Sequence, residues 1–413
     1  MDIVCSGISE DVRAAAFCAA ALGSPVVFMP WGIRVGARSR ADGCGAEVCH
    51  RTAANESIIL AVANESVVLP CGESGMTLRC MLATAGAFLA ERGEGAPITL
   101  RRSGSLTKRP LSPLDEQLAL HGMEIRESGS DLICSGRLRA GRYELPGNVS
   151  SQFVSALLMA LPLLDGDSEL MVKGRLGSAP YAFMTEDALR SAGIKLERQG
   201  SAESGLSYLI PGGQRPRLPR TVTAEGDWSA AAVFLCAGVF SEKGIEVTGI
   251  APGSAQGDSG ILDILRRFGA EAELTEHGAL VRKGTELRGI ELDASYVPDL
   301  VPPICALAAA AQGETVIRGA ARLRLKESDR LKSCAELLRA IGAEAEIFDD
   351  GLRIRGGRPL RGAAVQSFDD HRIAMAAAAC SCACEGVMTI ESEDCVSKSY
   401  PGFWEDWESL ARE

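Results

Sequence analysis

The chain repeats itself, and the period limits what it can fold into. A glycine-centred turn recurs at Gly122, Gly193, Gly269 and Gly342, spaced by 71, 76 and 73 residues. Each glycine is placed just past a helix, where a left-handed backbone is wanted, and strand-like alternation follows it. A second series marks Ala-rich helices opened by a polar residue near Ser9, Glu73, Ser150, Asp227, Asp299 and Asp370. Its last four steps are 77, 77, 72 and 71 residues. Two markers sharing one period imply a unit of roughly 70 residues, holding two helices and short strands and used about six times.

Such a unit is too long for common solenoids and has the elements of a layered α/β arrangement. The 413 residues therefore predict two lobes of three units each, 1–224 and 225–413, with the crossing near Val222–Asp227. The Pro/Gly-rich stretch Pro211–Pro219 just before it reads as a loop. The first few residues are expected to pair with the other lobe. Helices apolar on nearly every face belong inside each lobe. If their N-termini share one gap, several dipoles converge there on an anion.

Charge and cysteine usage narrow the partners. A net charge of −11 argues against nucleic-acid and anionic-membrane partners, while leaving room for a local cationic site. The chain has four histidines and fourteen cysteines. The cysteines lie in Ala-rich apolar stretches and read as small buried hydrophobes in a reducing compartment. Cys44, Cys49 and His50 could ligate a metal, but no second pair at zinc spacing accompanies them. The apolar run Ala14–Leu22 is short and follows Glu10 and Asp11, so neither a signal peptide nor a membrane span is expected. A cytoplasmic monomer is expected, with neither metal nor cofactor.

The polar residues at the helix starts carry the chemistry. From Arg322 to Arg330, cations alternate with Glu327 and Asp329 ahead of an apolar-periodic helix, with Ser328 or Asp329 as N-cap. That places an anion site beside a carboxylate. Gly72–Arg79 is a Gly-bearing loop entering a helix, suited to close approach of a phosphate. Lys108-Arg109-Pro110, Pro146–Gln152, Pro298-Asp299, Asp369–Arg372 and Lys398–Pro401 complete the set. One such start is usually a cap with a surface charge; their recurrence at one phase of a repeat favours a shared site.

In order along the chain, these pieces closely resemble the enolpyruvyl transferase family. They are Gly72–Arg79, Lys108-Arg109-Pro110, Val149–Gln152, Ser178–Tyr181, Glu225–Asp227, Pro298-Asp299, Leu325–Arg330, Asp370–Met375 and Ser397-Lys398, and the Leu325–Arg330 and Asp370–Met375 pieces point to the branch acting on shikimate 3-phosphate. The resemblance implies two lobes of three βαββαβ units with buried helices. It also implies condensation of shikimate 3-phosphate with phosphoenolpyruvate on the route to chorismate and the aromatic amino acids. Gly75, Arg109, Gln152, Arg330, Arg372 and Lys398 would hold phosphoenolpyruvate, the arginine fork suiting its carboxylate and phosphate. Ser9, Arg13, Ser150, Ser151, Gln152, Ser178, Tyr181, Asp299 and Lys326 would hold shikimate 3-phosphate. Asp299 would be the base and Glu327 the proton donor, with Lys398 sharing that task.

The first 70 or so residues fit the family poorly. Its opening Lys position holds Ile8, and the first lysine of the chain is Lys108. Losing one preorganised cation costs on the order of 3 kcal/mol, about a hundredfold in rate. Glu73, Met76 and Arg322 stand where Asn, a small hydroxyl residue and Asn are usual. That Arg34, Arg38 and Arg40 fold back in place of the lysine is the less favoured alternative. The competing reading is a non-catalytic paralogue that binds a phosphorylated small molecule or a partner. The branch acting on a UDP-linked amino sugar relies on a loop cysteine, whereas Cys71 and Cys80 read as packing residues.

Overall fold

The computed structural model describes residues 1–5, 7–36, 52–53, 56–59, 67–92 and 96–410. It divides into two compact units, Met1–Ala224 and Glu225–Glu413. Arg38, Arg40, Cys44, Cys49 and His50 lie outside the described residues.

The first unit holds helices α1 (Glu10–Ala21), α2 (Gly75–Arg92), α3 (Leu114–Leu120), α4 (Ser151–Ala160) and α5 (Ala179–Ser191). Strand Val67–Gly72 runs parallel to Ile98–Arg102, Leu69 opposite Leu100. A parallel pair needs a crossover, and Ala-rich α2 supplies it. After α3 an antiparallel hairpin, Met123–Ser128 and Asp131–Gly136, completes the sheet. The next repeat does the same: Arg142–Pro146 pairs parallel with Ser168–Lys173 across α4, and the hairpin Glu197–Ser201/Gly205–Ile210 follows α5. Asp2–Val4, expected to pair with the other lobe, pairs inside this unit instead. It lies between Thr221–Thr223, parallel, and Gly32–Val35, antiparallel. Backbone bonds from Asp2 N to the Arg220 carbonyl and from Ala224 N to the Val4 carbonyl tie the two ends of the unit together.

The second unit holds α6 (Trp228–Gly238), α7 (Ile261–Phe268), α8 (Val301–Ala310), α9 (Arg330–Ala340), α10 (His371–Ser381) and α11 (Phe403–Ser409). Helices α6, α8 and α10 pack on one another. All of Val301–Ala309 and of His371–Cys380 is buried, so these helices are covered on every side. Alanine suits that position because it lets neighbouring backbones approach closely while costing no side-chain entropy. Phe234 on α6 meets Tyr400, Phe403 and Trp407, which docks α11 and the segment bearing Lys398.

In four successive repeats, from Val67 to Arg355, the order is β-α-β-α-β-β, not the β-α-β-β-α-β expected from the resemblance. The glycine series explains the correction: each glycine ends the second helix and feeds directly into the hairpin. Gly122, Gly193, Gly269 and Gly342 have φ of 94°, 78°, 101° and 95°, values an L side chain adopts only with strain. The polar series is equally physical. Ser9, Ser150, Asp227 and Asp370 each accept a hydrogen bond from the first turn of α1, α4, α6 and α10, caps worth about 1 kcal/mol apiece. The described cysteines are free thiols, most of them buried.

Candidate functional site

In the first unit the starts of the Ala-rich helices are neighbours. Ser74, 1% exposed, accepts from Thr77 N and caps α2. Gly75 follows, with the Arg109 guanidinium lying against its Cα: a Cβ there would stand 2.7 Å from Nη1. Gly72 faces Ala14 of α1, which brings Ser9 and Arg13 to the same end. Gln152 in the first turn of α4 accepts from Arg79 Nη1. Gly177 N donates to the Gly147 carbonyl at 3.0 Å, joining the loop that leads into Ser178 and the first turn of α5, where Tyr181 lies, to the loop that leads into Ser150 and Ser151 at the start of α4. Ser178 has φ 54°, a left-handed residue of the kind concentrated at ligand sites. All the site residues expected in residues 1–224 thus gather at one end of that unit.

The departures find physical places. Ile8 packs against the cluster of Ala16, Ala20, Val26, Phe28 and Ile33. Arg13 lies over the Phe28 ring at 5.1 Å. Arg34 does not substitute for the missing lysine. It is bound bidentately by Asp2, at 2.7 and 3.0 Å. The Glu73 carboxylate rests on Gly104, in space that a Cβ would fill.

In the second unit one guanidinium organises the group. Asp329 caps α9, and Arg330, its first residue, is 1% exposed. Arg330 Nη1 donates to Asp299 at 2.6 Å, Nη2 to Glu327 at 2.9 Å and to Asp370 at 3.0 Å, and Nε to Asp370 at 2.8 Å. All but one of its N–H groups are committed to carboxylates. Lys326 Nζ reaches Asp299 at 3.1 Å and Lys398 Nζ reaches Glu327 at 3.0 Å. Arg372 lies 4.0 Å from Asp227 and within electrostatic reach of Asp299. Arg322 donates to the Ser295 carbonyl at 2.9 Å, also within the field of Asp299.

These neighbours set the protonation states. Burial pushes the Asp299 carboxyl up, but Lys326, Arg330 and Arg372 outweigh it and hold it well below the usual carboxylate range. Burial likewise raises Asp370, and Arg330 reverses the shift to a net lowering. Burial pushes Lys326 down despite Asp299. Burial, Arg372 and Arg330 push the His371 imidazole down to about 3, so it is neutral near pH 7. Both depressed carboxyls contribute stability that is complete above their ordinary value of 3.8 and is lost as pH falls through their lower folded values. The thermal midpoint of the protein should accordingly drop as pH is taken below about 4, and less steeply in an Asp370→Asn variant. A fluorescence melt across pH 2.5–5 reads this directly.

Asp370 was not marked as a ligand residue by the sequence, though its place in the polar series was the available signal. Arg79 was hidden inside the Ala-rich run of α2.

Two carboxylates ringed by cations, on a repeat fold with anion-receptive helix starts, are the equipment of an enzyme that handles small anionic substrates. Solved structures share that fold. An EPSP synthase from Acinetobacter baumannii superposes with a TM-score of 0.73 at 24% identity, covering 99% of this chain and 89% of that one. The enolpyruvyl transferase NikO from Streptomyces tendae gives a TM-score of 0.70 at 19% identity, over 99% of this chain and 94% of that one. Residues 46–407 match EPSP synthase (3-phosphoshikimate 1-carboxyvinyltransferase), and the chain belongs to that family. Among its relatives, the 3-phosphoshikimate 1-carboxyvinyltransferase of Clostridium acetobutylicum is 40% identical over 82% of this chain and 77% of its own. That of Methanoculleus marisnigri is 38% identical over 81% and 77%.

Proposed function

We infer that the protein transfers the enolpyruvyl group of phosphoenolpyruvate to the 5-hydroxyl of shikimate 3-phosphate and releases phosphate. The 5-oxygen bonds to C2 of phosphoenolpyruvate as its proton leaves to a base, and C3 takes up a proton. The tetrahedral adduct then loses a proton from C3 while the C2–O bond to phosphate breaks, restoring the double bond. One observation carries the reading: a single guanidinium holds Asp299 and Glu327 together, with Lys326 also bonded to Asp299 and Lys398 also bonded to Glu327.

Asp299 is the base in this proposal, kept ionised by its three cations. Glu327 is the proton donor, and the Lys398 ammonium bonded to it is the group that can reprotonate it. Gly75, Arg109, Gln152, Arg372, Lys398 and the uncommitted N–H of Arg330 hold phosphoenolpyruvate. Ser9, Arg13, Ser150, Ser151, Gln152, Ser178, Tyr181, Asp299 and Lys326 hold shikimate 3-phosphate. The first unit then carries most of the phosphosugar-acid contacts and the second unit the acid and base. That the chain keeps Asp299, Glu327, Arg330, Arg372 and Lys398 together weighs against a non-catalytic paralogue. We also place the protein in the cytoplasm as a monomer, without nucleic-acid or membrane partners. The acidic net charge supports the exclusion of nucleic-acid and anionic-membrane partners, and among the described residues no helix is long and apolar enough to cross a membrane.

Phosphate release by purified protein given both substrates tests the activity. No turnover with either substrate pair member omitted, and turnover with both, is the expected pattern. Gly75→Ala should push the Arg109 guanidinium aside and lower kcat/KM for phosphoenolpyruvate by about ten- to a hundredfold. Its KM for shikimate 3-phosphate should stay within about twofold, because the three atoms nearest the new methyl all belong to Arg109.

A further inference from the structure

Arg79 lies in the second turn of α2 and is 5% exposed. Its side chain touches three pieces of the first unit's group. Nη1 donates to Gln152 Oε1 at 2.5 Å, and Nη2 donates to the Pro110 carbonyl at 3.2 Å. The guanidinium sits over the Phe153 ring, 5.3 Å from its centroid. A guanidinium carries only donors, so the Gln152 atom facing it has to be the amide oxygen. The other end of the amide is thereby fixed. Gln152 turns its NH2 away from Arg79 and offers a ligand two donors rather than an acceptor. A charge-assisted bond to the oxygen also polarises the amide and strengthens those donors. The same arginine holds the carbonyl of Pro110, next in sequence to Arg109, whose guanidinium rests on Gly75.

We propose that Arg79 is a positioning residue for phosphoenolpyruvate, locking Gln152 as a hydrogen-bond donor and tethering the turn that carries Arg109. It acts through those residues and does not itself touch substrate. The proposal rests on Gln152 being a phosphoenolpyruvate contact, as read above.

The test is initial-rate phosphate release at saturating shikimate 3-phosphate, with phosphoenolpyruvate varied, in two backgrounds. Arg79→Lys should raise the KM for phosphoenolpyruvate about tenfold, with a smaller change in kcat. In a Gln152→Met background, where no amide remains to orient, the same substitution should change KM by about threefold or less, the remainder coming from Pro110. Equal effects in both backgrounds overturn the proposal, since Arg79 would then act independently of Gln152. A Gln152→Met variant with unaltered KM removes Gln152 from the ligand contacts, and the proposal falls with that reading. Thermal melts accompany each variant. Arg79→Gln, which keeps neutral donors for both oxygens, takes the place of Arg79→Lys if the latter does not fold, and is judged by the same comparison.

Discussion

Arg330→Met should destabilise the protein by about 3–5 kcal/mol at neutral pH, more than any other single surface or site substitution here. The guanidinium is nearly fully buried and serves Asp299, Glu327 and Asp370 at once. A methionine fills similar volume but leaves three carboxylates facing one another with less than their former countercharge. Asp370, buried and held down chiefly by Arg330, would then bind protons more readily than in the unfolded chain, so the penalty should shrink as pH falls from 7 toward 5 and this acid becomes neutral. Urea unfolding at both pH values measures this. Arg330→Lys should fall in between, because a point charge cannot bond all three acids in the geometry of the fork. Arg266, paired with Asp263 at 2.7 Å on the surface, is the control. Its replacement should cost no more than about 0.5 kcal/mol. An Arg330→Met variant as stable as the parent at pH 7 would mean the cluster is not the organising element of the second unit.

The sequence made some of this legible because the physical demand was local. A helix end that needs φ near +90° selects glycine, and a helix start that needs an acceptor selects Ser or Asp. Both choices recur wherever the repeat recurs, so Gly122, Gly193, Gly269 and Gly342 and the caps Ser9, Ser150, Asp227 and Asp370 could be found by spacing alone. What stayed hidden depended on contacts distant in sequence. Asp370 looked like one more cap, and it is one, but its carboxylate also receives Arg330 from forty residues earlier and the Ser328 hydroxyl. Arg79 was one cation in an apolar helix until Gln152 and Pro110 closed on it. The order of helix and hairpin within a repeat is also local: the glycines place the hairpin after the second helix, against the order the resemblance implies. Arg34 seemed available as a replacement cation because Asp2, its partner, lies thirty-two residues away on a neighbouring strand.

Asp299→Asn should lower kcat by about 10²- to 10⁴-fold, the range expected for loss of a general base, while the protein remains folded. The amide is nearly isosteric and still offers an oxygen to Lys326 and Arg330, so geometry survives while basicity does not. The wild-type pH profile should carry a second signature. In the free enzyme three cations keep Asp299 ionised far below neutrality, so kcat/KM should show no acid limb from this group between roughly pH 5 and 8. Bound anions engage Lys326 and Arg330 and offset their charge. The Asp299 carboxyl then gains proton affinity and becomes a stronger base with its substrates in place. The acid limb of kcat should therefore lie at higher pH than that of kcat/KM, and should disappear in Asp299→Asn. Glu327→Gln should lose less than Asp299→Asn does, since Lys398 still brings a proton to the same spot. Turnover of Asp299→Asn within about threefold of the parent would move the base to another residue and undo the assignment.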